Sequence, residues 1–292
     1  MGGGVYSSVS RDTRHIASGT YLKSPEQNFT SRSINNAMNP HGIKIRESRD
    51  SDEHPNSVAI IVALDVTGSM GSVPNHLVKH GLPKMMDDII GKGIADPQIL
   101  FLGIGDHECD TSPLQVGQFE SSDELVDKWL LDTFLEGGGG GNAGESYMLA
   151  WYFAAYHTAL DCLEKRGQKG FLFTIGDEPV LKDIPGAAIK ALMGDGQYDT
   201  DYLSSKLLEK AMEKYNVHHL HIRETYSGSR EEVMDGWKQM MGDNCHVIQS
   251  SDHVSSAIAG IISTSDKLVD DEVSTDTPTE SVNDESGGEE IL

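Results

Sequence analysis

The chain reads as an α/β protein built on a doubly wound, mostly parallel sheet flanked by helices, with one antiparallel edge strand. Three observations predict this. Residues 57–66, 98–105 and 170–176 are continuous apolar, β-prone runs, the pattern of strands buried on both faces. Segments with helical apolar spacing alternate with such strands along most of the chain. Residues 60–70, Ile-Ile-Val-Ala-Leu-Asp-Val-Thr-Gly-Ser-Met, break abruptly from apolar to polar at Asp65, Thr67 and Ser69. Open α/β sheets place their ligand sites at such C-terminal strand ends.

Residues 1–56 are rich in Gly, Ser, Asn and Arg with little periodicity, and are expected to form a mostly irregular arm lying on the domain. The domain proper spans 57–263. After its first strand, residues 75–91 place Leu77, Leu82, Met85, Met86, Ile89 and Ile90 on a helical face interrupted by Pro83. Residues 114–119 alternate and should pair with the 98–105 strand as the antiparallel edge. A helix over 122–135 takes Ser122 as N-cap and turns Leu125, Trp129, Leu130 and Phe134 inward. A deeply buried helix is expected from Glu145 to Lys165, apolar on nearly all sides. Further helices are expected at 201–215, 229–241 and 252–263, and strands at 217–222 and 245–248. His218, His219 and His221 fall in that first strand and are read as structural, with His219 turned away from the other two. Residues 264–292 are expected to be a disordered acidic tail: 266–292 hold ten acidic residues and one Lys, too few apolar groups to offset ordering entropy.

Composition narrows the function classes. The net charge of −23 opposes nucleic-acid binding, which relies on Lys and Arg neutralising phosphates. It favours cations and basic partners. No apolar stretch approaches the roughly 20 residues that span a bilayer. The N-terminus lacks the basic and apolar regions of a signal peptide. The three cysteines, Cys109, Cys162 and Cys245, are an odd number without C-x-x-C spacing. Together these features predict a soluble cytoplasmic protein without membrane contact.

Asp65, Thr67 and Ser69 put one carboxylate and two hydroxyls on a tight turn, hard oxygen donors suited to Mg²⁺ or Mn²⁺. Asp177 follows the 170–176 strand, and the loop 137–146 precedes the buried helix. If those strands are parallel neighbours, the three loops meet at one sheet edge. The competing readings are an Asp-x-Thr-Gly-Ser turn that only caps a helix, a glycine run 137–141 that is only a linker, and a strand exit at Asp177. The acidic tip Asp106–Asp110 is a solvated hairpin or a second cation or partner site. His76 and His80 share a helix face but lack a third zinc ligand.

The Asp65-Val66-Thr67-Gly68-Ser69 turn, the glycine-rich loop and Thr174-Ile175-Gly176-Asp177 resemble the von Willebrand factor A (VWA) domain with its metal-ion-dependent adhesion site. The resemblance covers roughly 57–263 and is to intracellular microbial or phage members of that Rossmann-like fold. It implies a divalent cation held by Asp65, Thr67, Ser69 and Asp177 and completed by an acidic residue of a partner protein. The family commonly supplies a Thr from the middle loop; this chain has none there, leaving Asn142, Glu145 or Ser146 as replacements. The resemblance also implies an adaptor or assembly role, without catalysis, beside a MoxR-type AAA+ ATPase. Two other readings stand against it. A magnesium-dependent phosphatase of the haloacid-dehalogenase kind would need an Asp at position 67. A self-assembling component would homo-oligomerise through the basic arm and acidic tail. Neither a P-loop nor a G-x-S-x-G elbow occurs.

Overall fold

The computed structural model describes residues 4–136, 142 and 144–273. The glycine run 137–141 and residues 274–292 of the expected tail lie outside the described residues. Six strands form the central sheet: β1 (Val58–Asp65), β2 (Pro97–Ile104), β3 (Leu114–Val116), β4 (Gly170–Gly176), β5 (Tyr215–Ile222) and β6 (Cys245–Ile248). Their order is β6-β5-β4-β1-β2-β3. Every pair is parallel except β2 with β3. The fold is thus mixed α/β with a mostly parallel sheet and one antiparallel edge, as the apolar runs predict.

Seven helices matter for the argument: α1 (Ser8–Ser18), α2 (Leu82–Gly91), α3 (Asp123–Leu131), α4 (Met148–Tyr156), α5 (Ser204–Met212), α6 (Glu231–Met241) and α7 (Val254–Val273). The two-residue period of β1 divides its side chains between two cores. Ala59, Ile61 and Ala63 face the core completed by α4, α5 and α6. Ile60, Val62 and Leu64 face the core completed by α2, α3 and α7. Every residue from Met148 to Ala155 is buried, which is what an all-apolar helix requires.

Several expectations are corrected. The buried helix does not run to Lys165. It stops at Tyr156 because the chain is drawn into strand pairing: Arg46 N–H donates to His157 O at 2.7 Å, and Thr158–Leu160 pairs in parallel with Arg46–Ser48. A short helix, Asp161–Arg166, follows and ends at Gly167 with φ of 70°. On α3 the buried apolar residues are Val126 and Leu130; Leu125 and Trp129 are half-buried, and Phe134 lies past the helix end. The 73–91 segment is helical but passes through a π-turn at Leu77–Gly81, and Pro83 sits in the first turn of α2, where proline is tolerated. Helix α7 continues to Val273, through the first residues of the expected tail. His219 and His221 share a face, their rings 6.0 Å apart, as a period of two demands. His218 faces the other way and stacks on Phe173.

The arm carries one full helix and several single turns between irregular stretches. Helix α1 is capped by Ser7, whose side chain accepts from Ser10 N–H, and ends at Gly19 in the left-handed region. Its Arg11 is fully buried and donates from Nε to Asp127 Oδ1 at 2.7 Å and from a terminal nitrogen to Val78 O at 2.5 Å. Arg14 and His15 reach the other Asp127 oxygen at 2.6 and 2.7 Å. Burial alone would raise the Asp127 carboxyl, but the His15 hydrogen bond and the Arg11 charge outweigh it and hold it below the ordinary range. Further along, Asn28 donates to Asn75 Oδ1 at 2.8 Å. The arm is therefore strapped to α3 and to the segment that follows the Asp65 turn.

Replacing Arg11 by Ala removes one partner of Asp127 while leaving Arg14 and His15. The loss should sit at the lower end for a broken buried ion pair, about 3 kcal/mol, read as a lower urea midpoint. An unchanged midpoint would show that the strap adds nothing to stability.

Candidate metal centre

β1 and β4 are neighbours with Leu64 opposite Ile175, so Asp65 and Asp177 emerge side by side at the same sheet edge. Asp65 is fully buried, and its Oδ1 accepts from Thr67 N–H at 2.9 Å and from Thr67 Oγ1 at 2.6 Å. This turn, in which a side chain closes on the backbone two residues on, is what Asp favours. It delivers Thr67 and Ser69 to one side, with their hydroxyl oxygens 3.2 Å apart. Ser69 Oγ donates to Asp177 Oδ1 at 2.8 Å. Asp177 is itself fully buried, and its Oδ2 has no hydrogen-bond partner among the described residues. The four residues expected to meet do meet.

The three candidates from the middle loop separate. Glu145 N–H donates to Pro179 O at 2.8 Å, and Glu145 O accepts from Leu181 N–H at 3.0 Å. This pairing ties Glu145 to the segment leaving Asp177. Its buried Oε2 lacks a partner among the described residues. Ser146 instead serves the acidic tip: its Oγ accepts from His107 N–H at 2.9 Å and lies 2.8 Å from His107 Nδ1. Asn142 donates to Glu108 Oε2 at 2.6 Å. Asn142 and Ser146 thus bind the Asp106–Asp110 tip, and Glu145 is the loop residue that feels the Asp65 charge. The tip is no solvated hairpin at its base, since Asp106 is buried with Oδ1 accepting from Glu108 N–H at 2.9 Å.

The electrostatics follow from burying like charges together. Burial first, and the Asp177 charge second, push the Asp65 carboxyl up to about 7 against the hydrogen bonds from Thr67 and Tyr147. Burial, then Asp65, Asp110 and Asp106, push Glu145 up to about 9. Among the described residues no Lys, Arg or His forms an ion pair with Asp65, Glu145 or Asp177; the nearby Arg230 is taken by Glu178 at 2.8 Å.

Tyr147 is the residue the sequence reading misses. Its hydroxyl donates to Asp65 Oδ2 at 2.8 Å from a fully buried ring. The ring fits because position 176 has no side chain: a Cβ there would lie 1.8 Å from the Tyr147 oxygen. The available signal was a tyrosine opening an otherwise apolar helix, since a buried phenol needs a partner for its O–H. Trp237 also supports the site. It stacks on His219 with centroids 3.5 Å apart and donates from Nε1 to Glu178 O at 3.0 Å, holding the residue after Asp177. Burial, then His221, keep His219 well below the usual imidazole range, a neutral core group.

The donor set suits a hard cation. Every group is an oxygen, two buried carboxylates lie side by side with no cationic side chain paired to them among the described residues, and among those residues one buried Asp177 oxygen has no partner. These features fit Mg²⁺ or Mn²⁺. Among the described residues no three His, Cys, Asp or Glu side chains are grouped to hold a metal; here two of the donors would be the Thr67 and Ser69 hydroxyls.

No family model matches the chain, and no curated protein sequence matches it. Solved structures with a similar backbone include the pilus adhesin SpaC from Lactobacillus rhamnosus GG, with a TM-score of 0.48 and 13% identity over 74% of this chain and 31% of that one. Proximal thread matrix protein 1 from the mussel byssus gives 0.45 and 11% over 70% of this chain and 47% of that one. The vWF domain of the type V pili tip protein Mfa5 from Porphyromonas gingivalis gives 0.42 and 10% over 73% of this chain and 96% of that one. The chain spans about a third of the adhesin's length. At such scores the strand order, rather than the likeness, carries the fold class.

Proposed function

We propose that the chain is a non-catalytic protein-binding module of VWA type. Its Asp65–Ser69 edge, loaded with Mg²⁺ or Mn²⁺, would take an acidic residue of a partner. The observation that carries this reading is the pair Asp65 and Asp177, buried together and, among the described residues, with no Lys, Arg or His paired to either and no hydrogen-bond partner for one Asp177 oxygen. Bound there, the cation would supply positive charge and an open coordination position for a partner's carboxylate. Thr67 and Ser69 would hold it through their hydroxyl oxygens, and Asp65, Asp177 and Glu145 would supply the countercharge. Tyr147 would keep Asp65 oriented by engaging its second oxygen. An adaptor of this kind fits a cytoplasmic MoxR-type AAA+ ATPase as partner, which co-purification in Mg²⁺ against EDTA would test. No helix among the described residues is long and apolar enough to cross a membrane.

Thermal unfolding over a Mg²⁺ and Mn²⁺ titration tests the site. Wild-type protein should gain stability saturably, about 2.7 kcal/mol at a hundredfold excess over the dissociation constant. Asp65→Asn should lose that response while the metal-free protein becomes more stable, because one of two buried like charges is gone. A wild type indifferent to both metals would remove the basis of the reading.

The pH dependence has a definite sign. Asp65 and Glu145 are raised in the folded state to about 7 and about 9, so the folded chain holds protons that the unfolded chain has released. Their contribution to metal-free stability is complete below about pH 4 and is lost as pH rises through about 7 and then 9. Metal binding needs the deprotonated groups, so affinity should strengthen over the same range. Urea unfolding at pH 5, 7 and 8.5, with and without Mg²⁺, checks this; metal-free stability that rises across the range would contradict it.

A further inference from the structure

A cleft of about 610 Å³ opens beside the Asp65 turn. One wall comes from the arm, where Phe29 and Arg32 face it; the other comes from Thr67 and from Phe134 and Leu135 beyond α3. Thr67 therefore lines the cleft while its hydroxyl engages Asp65, so one proposed donor is shared between the cleft wall and the Asp65 turn. The arm wall is not loosely laid down. Arg11 is buried on Asp127, Asn28 on Asn75, and Lys79 Nζ donates to Lys23 O at 2.6 Å. Pockets of roughly 300–1,000 Å³ with apolar linings and few polar groups are the usual form of preformed ligand sites.

The lining points to one class of occupant. Phe29, Phe134 and Leu135 offer apolar contact. Glu136 spends one carboxylate oxygen inward, accepting from Ser112 N–H at 2.7 Å and Thr111 Oγ1 at 2.8 Å. Glu26 accepts from Ser24 Oγ at 2.7 Å. Among the described residues Arg32 is the one cationic side chain of the lining and is exposed, a charge that favours a carboxylate-bearing segment on approach.

We propose that this cleft is the specificity pocket of the metal centre: it seats a bulky apolar side chain of a partner segment, within two residues of the acidic residue offered to the metal. The inference rests on the metal-dependent reading above and adds the side-chain class that the partner must carry. It also gives the arm a function, since without residues 25–32 one wall of the cleft is missing.

The test is selection from a random heptapeptide phage library on the full chain in Mg²⁺, with parallel EDTA washes. The comparison variants are Ser31→Trp and Ser72→Trp, which fill the cleft from opposite walls and change no proposed metal donor. Recovered peptides should pair Asp or Glu with Leu, Phe, Tyr or Trp within two positions. Each Trp variant should cut binding of a selected peptide tenfold or more while keeping the wild-type Mg²⁺-dependent rise in Tm. Acidic peptides without an apolar neighbour, or full binding by both variants, would overturn the inference and spare the metal reading. Binding that persists in EDTA but is lost in both variants would leave an apolar cleft with no metal-held acid beside it, overturning the metal reading and the pairing proposed here with it. No recovered peptide together with no Mg²⁺ effect on Tm would sink both.

Discussion

Two carboxylates with no cationic partner among the described residues, Asp65 and Asp177, sit buried at the ends of neighbouring strands, and the surrounding structure is arranged to tolerate them. Isolated buried charge is costly unless hydrogen-bonded or neutralised. Here the hydroxyls of Thr67, Ser69 and Tyr147 each give a hydrogen to one of these carboxylates. That spends the available donors and still leaves one oxygen unserved. Such an arrangement is poor as a stability device, since a buried apolar pair would do better. Its physical sense lies in what it attracts.

The parallel sheet is what makes the arrangement possible. With β1 and β4 adjacent and in register, two residues 112 positions apart in number arrive at one edge without any loop having to reach. The middle loop is then tied to the exit of β4 through Glu145 and Pro179, and Trp237 holds the next carbonyl. The arm adds a second layer. A charged strap of Arg11, Arg14 and His15 on Asp127 closes over the helices that leave the Asp65 turn, so stability and access to the site share residues.

What the sequence made legible was whatever depends on local period. The three apolar runs, the antiparallel edge at 114–116 and the Asp65–Ser69 turn are all readable because a strand buried on both faces has no polar positions and a turn needs short oxygen-bearing side chains. Asp177 was readable from its place after such a run. What stayed hidden depended on distant partners. Nothing near Thr158 announces that Arg46 will take the carbonyl of His157 and end the helix. Nothing in the arm announces Asp127, more than a hundred residues away, as the anchor for Arg11. Asn142 and Ser146 engage the tip Asp106–Asp110, Asn142 through the Glu108 carboxylate and Ser146 through the His107 N–H. The misplacement of His219 was an error of phase, since alternation puts residues 219 and 221 together.

The seat of Tyr147 over Gly176 has an evolutionary corollary. The phenol occupies the volume that any side chain at 176 would need, with a Cβ coming within 1.8 Å of its oxygen. The two positions form a single steric unit, so a lineage cannot enlarge residue 176 while keeping the tyrosine. It must first shorten residue 147, and in doing so it surrenders the hydrogen bond that orients Asp65. Homologues should therefore divide into two groups: those with glycine at 176 and an aromatic alcohol at 147, and those with a larger residue at 176 and a small one at 147. In the second group the first aspartate would have to find its second donor elsewhere.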